Sequence, residues 1–203
     1  MMEASDPELV TVIDDFLTRQ DCRRMLAQAE RGDWVPSSVA MAPGMMAGGG
    51  GRHSNSLLHP GYGKWAQAKL REIEAGLLRH FAIEPDKLEP WQMTRYRRGD
   101  FFDYHLDCGA WADHPSGERN RTILLVIEQP ARGGATHFRA LDKTIRPLLG
   151  RLIVWRNLLP TGRCNYAMIH SGRPVWQGCK TILTTWERQR PYAHANERAA
   201  LLV

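Results

Sequence analysis

Phe101-Phe102-Asp103-Tyr104-His105-Leu106-Asp107 is the stretch around which the rest of the chain can be read. In an extended strand, side chains two residues apart point to the same face. His105 and Asp107 therefore project together, an imidazole beside a carboxylate. Two histidines and one carboxylate hold a non-haem Fe(II) and leave other coordination positions open. The missing histidine should come from a distant strand facing the same cavity. His170, at the end of the apolar run Ala167-Met168-Ile169, is the candidate. Lys180 follows ten residues later, in Cys179-Lys180-Thr181-Ile182-Leu183-Thr184-Thr185-Trp186. An isolated H-x-D arises by chance in many chains. The ordered set His105, Asp107, His170 and Lys180 is a more specific pattern.

Working outward, the residues from Leu88 on read as strands: Trp91 to Tyr96, the His105 strand, Arg121 to Glu128, Ala135 to Phe138, Lys143 to Arg146, Arg151 to Trp155, Tyr166 to His170 and Lys180 to Trp186. Turns are expected at Arg97-Arg98-Gly99-Asp100 and Gly133-Gly134. Short strands at near-regular spacing imply a closed or nearly closed antiparallel β architecture. A hairpin through residues 172–178 would set the Lys180 strand beside the His170 strand. Positions 180, 182, 184 and 186 share a face, so an inward Lys180 brings Thr184 and Trp186 with it.

Earlier in the chain, Leu9 to Ile13 reads as a strand. Thr18 is placed to cap a helix that runs to Arg31 and stops at Gly32. Trp65, Ala66, Lys69, Leu70, Ile73, Leu77 and Leu78 recur at helical spacing, so a second helix is expected from about Tyr62 to Phe81. The two helices should brace one sheet from outside. Between them, Met41 to Ala47 leads into Gly48-Gly49-Gly50-Gly51, a surface loop or a lid over the cavity mouth. The fold class is thus mainly β with flanking helices (α+β). One domain spans 1–203, with helical support over 1–88, the β core over 89–187 and a charged tail over 188–203.

The chain has 203 residues, a hydrophobic content of 43% and a net charge of +5, as expected for one globular domain with its own core. The basic residues are scattered, which reads as a solvated surface, and nucleic acid is not expected as a partner. Cys22, Cys108, Cys164 and Cys179 form no C-x-x-C pair, so four free thiols are expected. Met1 to Asp6 lacks the basic and apolar regions of a signal peptide, and no stretch approaches the ~20 apolar residues of a membrane span. A cytoplasmic location follows as the expectation, with oligomeric state left open.

The chemistry can then be assembled. A dianionic 2-oxo acid chelating such an iron needs a fixed cation for its far carboxylate, and Lys180 is placed to supply it. Here the residues carry a family resemblance. Gln92 through Asp107 resembles the Q-x-x-x-Y-x-x-G-x-x-x-x-x-H-x-D segment of prolyl 4-hydroxylase-like enzymes, a branch of the Fe(II)/2-oxoglutarate-dependent dioxygenases. The strand from Arg119 resembles their R-x-x-T. Gly133 to Phe138 resembles G-G-E-T-x-F, and His170 to Lys180 resembles H-x-G-x-P-V-x-x-G-x-K. Arg52-His53-Ser54 is a weaker match to an upstream R-x-S. Ala135 and Val126 depart from the pattern, where relatives carry an acidic and an aromatic residue.

The resemblance implies a double-stranded β-helix, or jelly-roll, core. His105, Asp107 and His170 would bind Fe(II). Lys180, helped by Tyr96 and Thr122, would hold 2-oxoglutarate. Dioxygen would be the oxidant and ascorbate a stimulant. The implied reaction is hydroxylation of an unactivated C–H of a free amino acid, small metabolite or peptide, coupled to decarboxylation of 2-oxoglutarate to succinate and CO2. Arg52, Trp111 and Asp113 are the candidate substrate contacts. Two other readings use the same pattern. One is nucleic-acid demethylation of the alkylation-repair kind, against which Lys180 argues because that branch typically uses arginine. The other is a non-catalytic metal-binding β-barrel module.

Overall fold

The computed structural model describes residues 9–29, 32–38, 51–57 and 62–192. The expected lid, but for Gly51, and the tail after Tyr192 lie outside the described residues. Strand β1 (Val10–Ile13) is followed by helix α1 (Arg19–Ala29), β2 (Trp34–Pro36), β3 (Arg52–His53), β4 (Asn55–Leu57) and helix α2 (Lys64–Phe81). Ten strands then follow. They are β5 (Gln92–Tyr96), β6 (Phe101–His105), β7 (Arg119–Glu128), β8 (Arg132–Gly133) and β9 (Thr136–Phe138), then β10 (Lys143–Ile145), β11 (Leu152–Arg156), β12 (His170–Gly172), β13 (Val175–Gln177) and β14 (Lys180–Arg188).

These strands form a seven-stranded sheet, β1-β11-β7-β14-β5-β4-β2, a five-stranded sheet, β10-β9-β12-β6-β3, and a short pair, β13-β8. Every pairing among the described strands is antiparallel. From β5 onward the chain repeatedly changes sheet. It passes from β5 to β6 in the second sheet, back to β7, over to β9 and β10, back to β11, over to β12 and home to β14. The result is mainly β with few helices, and it places the inner faces of two sheets around one cavity.

Alternation along β7 shows how the core divides. Ile123, Leu125 and Ile127 face the helices and join Met25, Leu70, Ile73 and Leu77 in one cluster. Leu124 and Val126 face the other way and pack with Tyr96, Phe138, Trp155 and Ile182 between the sheets. The two helices thus brace the outer face of the seven-stranded sheet, as their apolar spacing implies. Each fully buried Leu or Ile on them contributes about 1.5–3 kcal/mol. Helix α1 starts where Thr18 caps it. The Thr18 Oγ1 accepts from the Asp21 backbone N–H at 3.0 Å and donates to the Asp21 carboxylate at 2.9 Å.

Three expectations fail locally. Tyr166–Met168 is a turn of 3-10 helix, not a strand, and pairing begins at His170. The Asn165 side chain accepts from Ala167 N at 3.1 Å and closes that turn, while Tyr166 faces outward. Residues 172–178 do not form a hairpin between the His170 and Lys180 strands. β12 pairs with β6 and β9, whereas β14 pairs with β5 and β7, so the two strands belong to opposite sheets. The intervening β13 pairs instead with β8. Finally, the cysteines are not all free. Cys108 and Cys164 are joined in a disulfide, with Cys22 and Cys179 unpaired.

Candidate metal centre

His105 and His170 are cross-strand partners on β6 and β12, so two residues 65 positions apart in the chain become direct neighbours. Asp107 lies two residues beyond the end of β6, outside the ladder. Its carboxylate oxygens are 3.8 Å from the Nε2 atoms of both histidines. One ligand atom from each of the three residues falls within 4.8 Å of the others, a donor set that can hold a single ion.

The local hydrogen bonds prepare these groups. His105 Nδ1 lies 2.7 Å from the Asp103 carbonyl, and His170 Nδ1 lies 2.9 Å from the Met168 carbonyl. Each Nδ1 faces a carbonyl and so donates to it, the arrangement that in a neutral imidazole leaves Nε2 as the lone pair toward Asp107. Burial and the neighbouring His170 push His105 down to about 3, so its ring is neutral at neutral pH. Asp107 is subject to an upward push from burial. His170, His105, Arg119 and the Thr122 hydrogen bond outweigh it, and the carboxyl is held below its ordinary value. Thr122 Oγ1 donates to Asp107 Oδ2 at 2.6 Å and accepts from Asn157 Nδ2 at 2.8 Å. The carboxylate is thus aimed by a chain of buried side chains.

The far wall of the cavity comes from β14 and β5. Lys180, Ile182, Thr184 and Trp186 all line it, as the strand alternation requires. Lys180 is only 3% exposed. Burial alone pushes its pKa down to about 8, and among the described residues no carboxylate pairs with it. Tyr96 is its cross-strand partner, with the ammonium 5.3 Å from the ring centroid. Burial raises the Tyr96 pKa, so the phenol keeps its proton and can donate. An unpaired ammonium inside a protein is costly, so this one calls for an anion.

The profile of the 2OG-Fe(II) oxygenase superfamily matches residues 91–188, the span that carries all of these groups. Residues 91–188 belong to this superfamily, and they resemble its prolyl 4-hydroxylase-like branch. Prolyl 4-hydroxylase subunit alpha-1 of Gallus gallus is 30% identical over 114 residues, which cover 53% of this chain and 22% of that protein. A putative prolyl 4-hydroxylase of Acanthamoeba polyphaga mimivirus is 26% identical over 133 residues, covering 61% of this chain and 54% of the relative. The match thus spans about a fifth of the first relative and about half of the second. In fold, the chain resembles the viral collagen prolyl hydroxylase of Paramecium Bursaria Chlorella virus-1 in its 2OG complex. The TM-score is 0.67 at 24% identity, over 90% of this chain and 97% of that one. A prolyl hydroxylase of Trichoplax adhaerens, in complex with a hypoxia inducible factor peptide fragment, gives a TM-score of 0.61 at 17% identity, over 97% and 88%.

Most of the sequence-derived candidates converge on this cavity. His105, Asp107, His170, Lys180, Tyr96, Thr122 and Arg52 all line the cavity. Thr122, however, spends its hydroxyl on Asp107 and not on the Lys180 end. Arg52 reaches the cavity from β3, with Nε on Ser54 Oγ at 2.8 Å and Nη2 on Thr94 Oγ1 at 3.3 Å, stacked 4.7 Å over Phe102. Trp111 and Asp113 are not among the lining residues. Trp111 packs against the guanidinium groups of Arg119 and Arg188, each 4.6 Å from its ring, and Asp113 is exposed.

Two contributors escape sequence reading. Asn157 holds Thr122, and nothing in its neighbourhood marks it. Glu89 takes both Arg119 (2.7 and 2.8 Å) and Arg188 (2.6 Å) in a buried cluster behind Trp186. Its partners lie 30 and 99 residues away in the chain, so no local pattern marks it.

Proposed function

We propose that this chain is an Fe(II)- and 2-oxoglutarate-dependent hydroxylase that uses O2 on an unactivated C–H bond. A peptide, with proline as the residue attacked, is the substrate class that the relatives' names favour; a free amino acid or small metabolite is the alternative. The observation that carries the reading is the opposition of two parts of one cavity. Two imidazoles and a carboxylate converge on one wall, and a buried ammonium without a described counter-ion stands on the other. The winding of β5 to β14 between two sheets supports the double-stranded β-helix reading.

His105, Asp107 and His170 would hold Fe(II) through Nε2, a carboxylate oxygen and Nε2. Bound iron with 2-oxoglutarate supplies the oxidising chemistry, in which the 2-oxo acid is decarboxylated to succinate and CO2. Lys180 neutralises the far carboxylate of the co-substrate, and the protonated Tyr96 phenol is available to donate beside it. Thr122 and Asn157 keep Asp107 aimed. Ile182, Leu124 and Trp155 supply apolar walls that exclude water. Arg52, near the cavity with no described carboxylate partner, is the group assigned to a carboxylate or carbonyl of the substrate.

The test is succinate release from 2-oxoglutarate with Fe(II), O2 and ascorbate, first without substrate and then with proline-containing peptides and free amino acids. Slow uncoupled turnover that disappears in His105→Ala, and rises with a peptide, is the expected result. No succinate under any condition would remove the proposal.

A further inference from the structure

Asp107 is the one candidate ligand that no strand holds. His105 and His170 sit in paired strands, whereas Asp107 lies two residues past the end of β6, at the start of the loop that runs to β7. Two tethers restrain it. One is the hydrogen bond from Thr122, itself fixed by the Asn157 side chain. The other is covalent: the next residue, Cys108, is bonded to Cys164, 56 positions away.

Both tethers end on the same piece of structure. The Asn157 backbone carbonyl lies 3.3 Å from Cys108 Sγ and accepts from Asn165 N at 2.8 Å. Leu158 and Cys164 form a bridge that closes the 157–165 loop on itself. Asn157 is 1% exposed, a rigid anchor for the side chain that aims the carboxylate. The two cysteines differ in access. Cys108 is buried at 8% exposure, while Cys164 is partly exposed, next to the exposed run Leu159 to Arg163.

We infer that the Cys108–Cys164 bond is a reversible thiol–disulfide site that governs how firmly Asp107 is held, and through it the affinity for a divalent metal. This rests on the reading of His105, Asp107 and His170 as a metal centre. The bond forms by exchange with a small disulfide such as oxidised glutathione. The accessible Cys164 thiolate attacks it and expels one glutathione thiolate. The Cys108 thiolate then attacks the mixed disulfide at Cys164 Sγ and expels the second. A reducing thiol reverses both steps, entering at Cys164. In the reduced protein the Cys108 thiol retains only its contact to the Asn157 carbonyl. The Asp107 segment then loses its covalent tether, and the carboxylate must be ordered when metal binds. Groups that orient a ligand in this way change metal affinity about 10–100-fold when removed.

The experiment is a Mn(II) titration followed by EPR on the full chain. The protein is pre-equilibrated with oxidised glutathione or with a phosphine reductant, and the thiol state is read by alkylation and mass. The oxidised protein is expected to bind Mn(II) about tenfold more tightly than the reduced one. Cys164→Ser and Cys108→Ser should each bind like the reduced protein whether or not reductant is present. A melting curve for each variant establishes that it is folded; Cys164→Ser, at the more accessible position, is the milder change. Equal affinity in the oxidised and reduced proteins overturns the inference and leaves the metal centre intact. So does failure of the bond to form under oxidised glutathione. If no form binds Mn(II), the metal-centre reading falls, and this inference with it.

Discussion

His170 faces His105 directly across the β12–β6 ladder, with ring centroids 4.2 Å apart. This pairing makes the spacing of two imidazoles a property of backbone register, which neither residue can leave without breaking a strand. His105→Ala or His170→Ala should therefore abolish Mn(II) binding while the two sheets stay assembled. Thr122→Val is more informative. It keeps the shape at Asp107 but removes the hydrogen bond donated to the carboxylate and, with it, the one accepted from Asn157, so metal affinity should drop about tenfold without being lost. A Mn(II) titration by EPR on the three variants, beside their far-UV CD spectra, checks both outcomes.

Lys180 makes a prediction in which function and stability move in opposite directions. Its pKa is about 8 in the folded protein, against an ordinary 10.5. Burying the ammonium thus costs on the order of 3 kcal/mol while both states are protonated. That cost is fully present below pH 8. It fades as pH rises from 8 to 10.5, where the folded state has released a proton that the unfolded state still binds, and it is gone above. Lys180→Met should therefore be more stable than the parent by up to about 3 kcal/mol at pH 7, with the difference shrinking toward zero near pH 10.5. The same variant should lose the rise in melting temperature that 2-oxoglutarate gives the parent in the presence of a divalent metal. Urea denaturation across that pH range and a thermal-shift series separate the two effects.

The same charge gives the co-substrate a pH dependence. Below pH 8 the ammonium is already formed when a dicarboxylate arrives. Above it, binding must first take up a proton, so 2-oxoglutarate affinity should weaken up to about tenfold for each pH unit beyond 8. Isothermal titrations in two buffers of different ionisation enthalpy would show the uptake directly. An affinity that stays flat from pH 7 to 9.5 would mean that Lys180 does not hold the carboxylate.

What the sequence makes legible is whatever depends on local period. Alternation along residues 121–128 and 180–186 tells which side chains face helices and which face the cavity, and the spacing of Leu70, Ile73 and Leu77 gives the second helix. The metal-ligand set is legible because H-x-D and a distant His are chemically constrained. Long-range geometry is not local and is not written in any window. Lys180 is brought opposite His170 by strands in facing sheets, although the intervening segment, with Gly172 and Gly178, looks like a hairpin. Cys108 and Cys164 meet because the loops after β6 and β11 converge, and nothing in their spacing announces it. Trp111 shows how little adjacency fixes: four residues from Asp107 in the chain, it packs on Arg119 and Arg188 and is not among the residues that line the cavity.

Behind Trp186, Glu89 is the shared counter-ion of Arg119 and Arg188, and Arg188 is 1% exposed. Removing one partner of a buried pair leaves an uncompensated charge and costs about 3–5 kcal/mol. Glu89→Ala should lower stability by that amount, and Glu89→Gln by nearly as much, because the amide can accept but brings no charge. Denaturant unfolding midpoints check this, with the exposed Glu72→Gln as a control expected to change stability by under about 0.5 kcal/mol.

Gly134 tests whether the cation is held in place by the turn between β8 and β9. Its φ is +71°, in the left-handed region that costs other L-residues about 1–2 kcal/mol. A Cβ there would lie 3.3 Å from Lys180 Cδ, 3.2 Å from Val175 Cγ2 and 3.1 Å from Pro130 Cγ. Of these three neighbours the lysine stem is the most flexible, so it is the one that gives way. Gly134→Ala should therefore destabilise the fold by about 1–2 kcal/mol and, separately, weaken 2-oxoglutarate binding by displacing the ammonium. Mn(II) affinity, set on the opposite wall by His105, Asp107 and His170, should stay unchanged. A variant that loses metal and 2-oxoglutarate together would show that the two ends of the cavity are not independent.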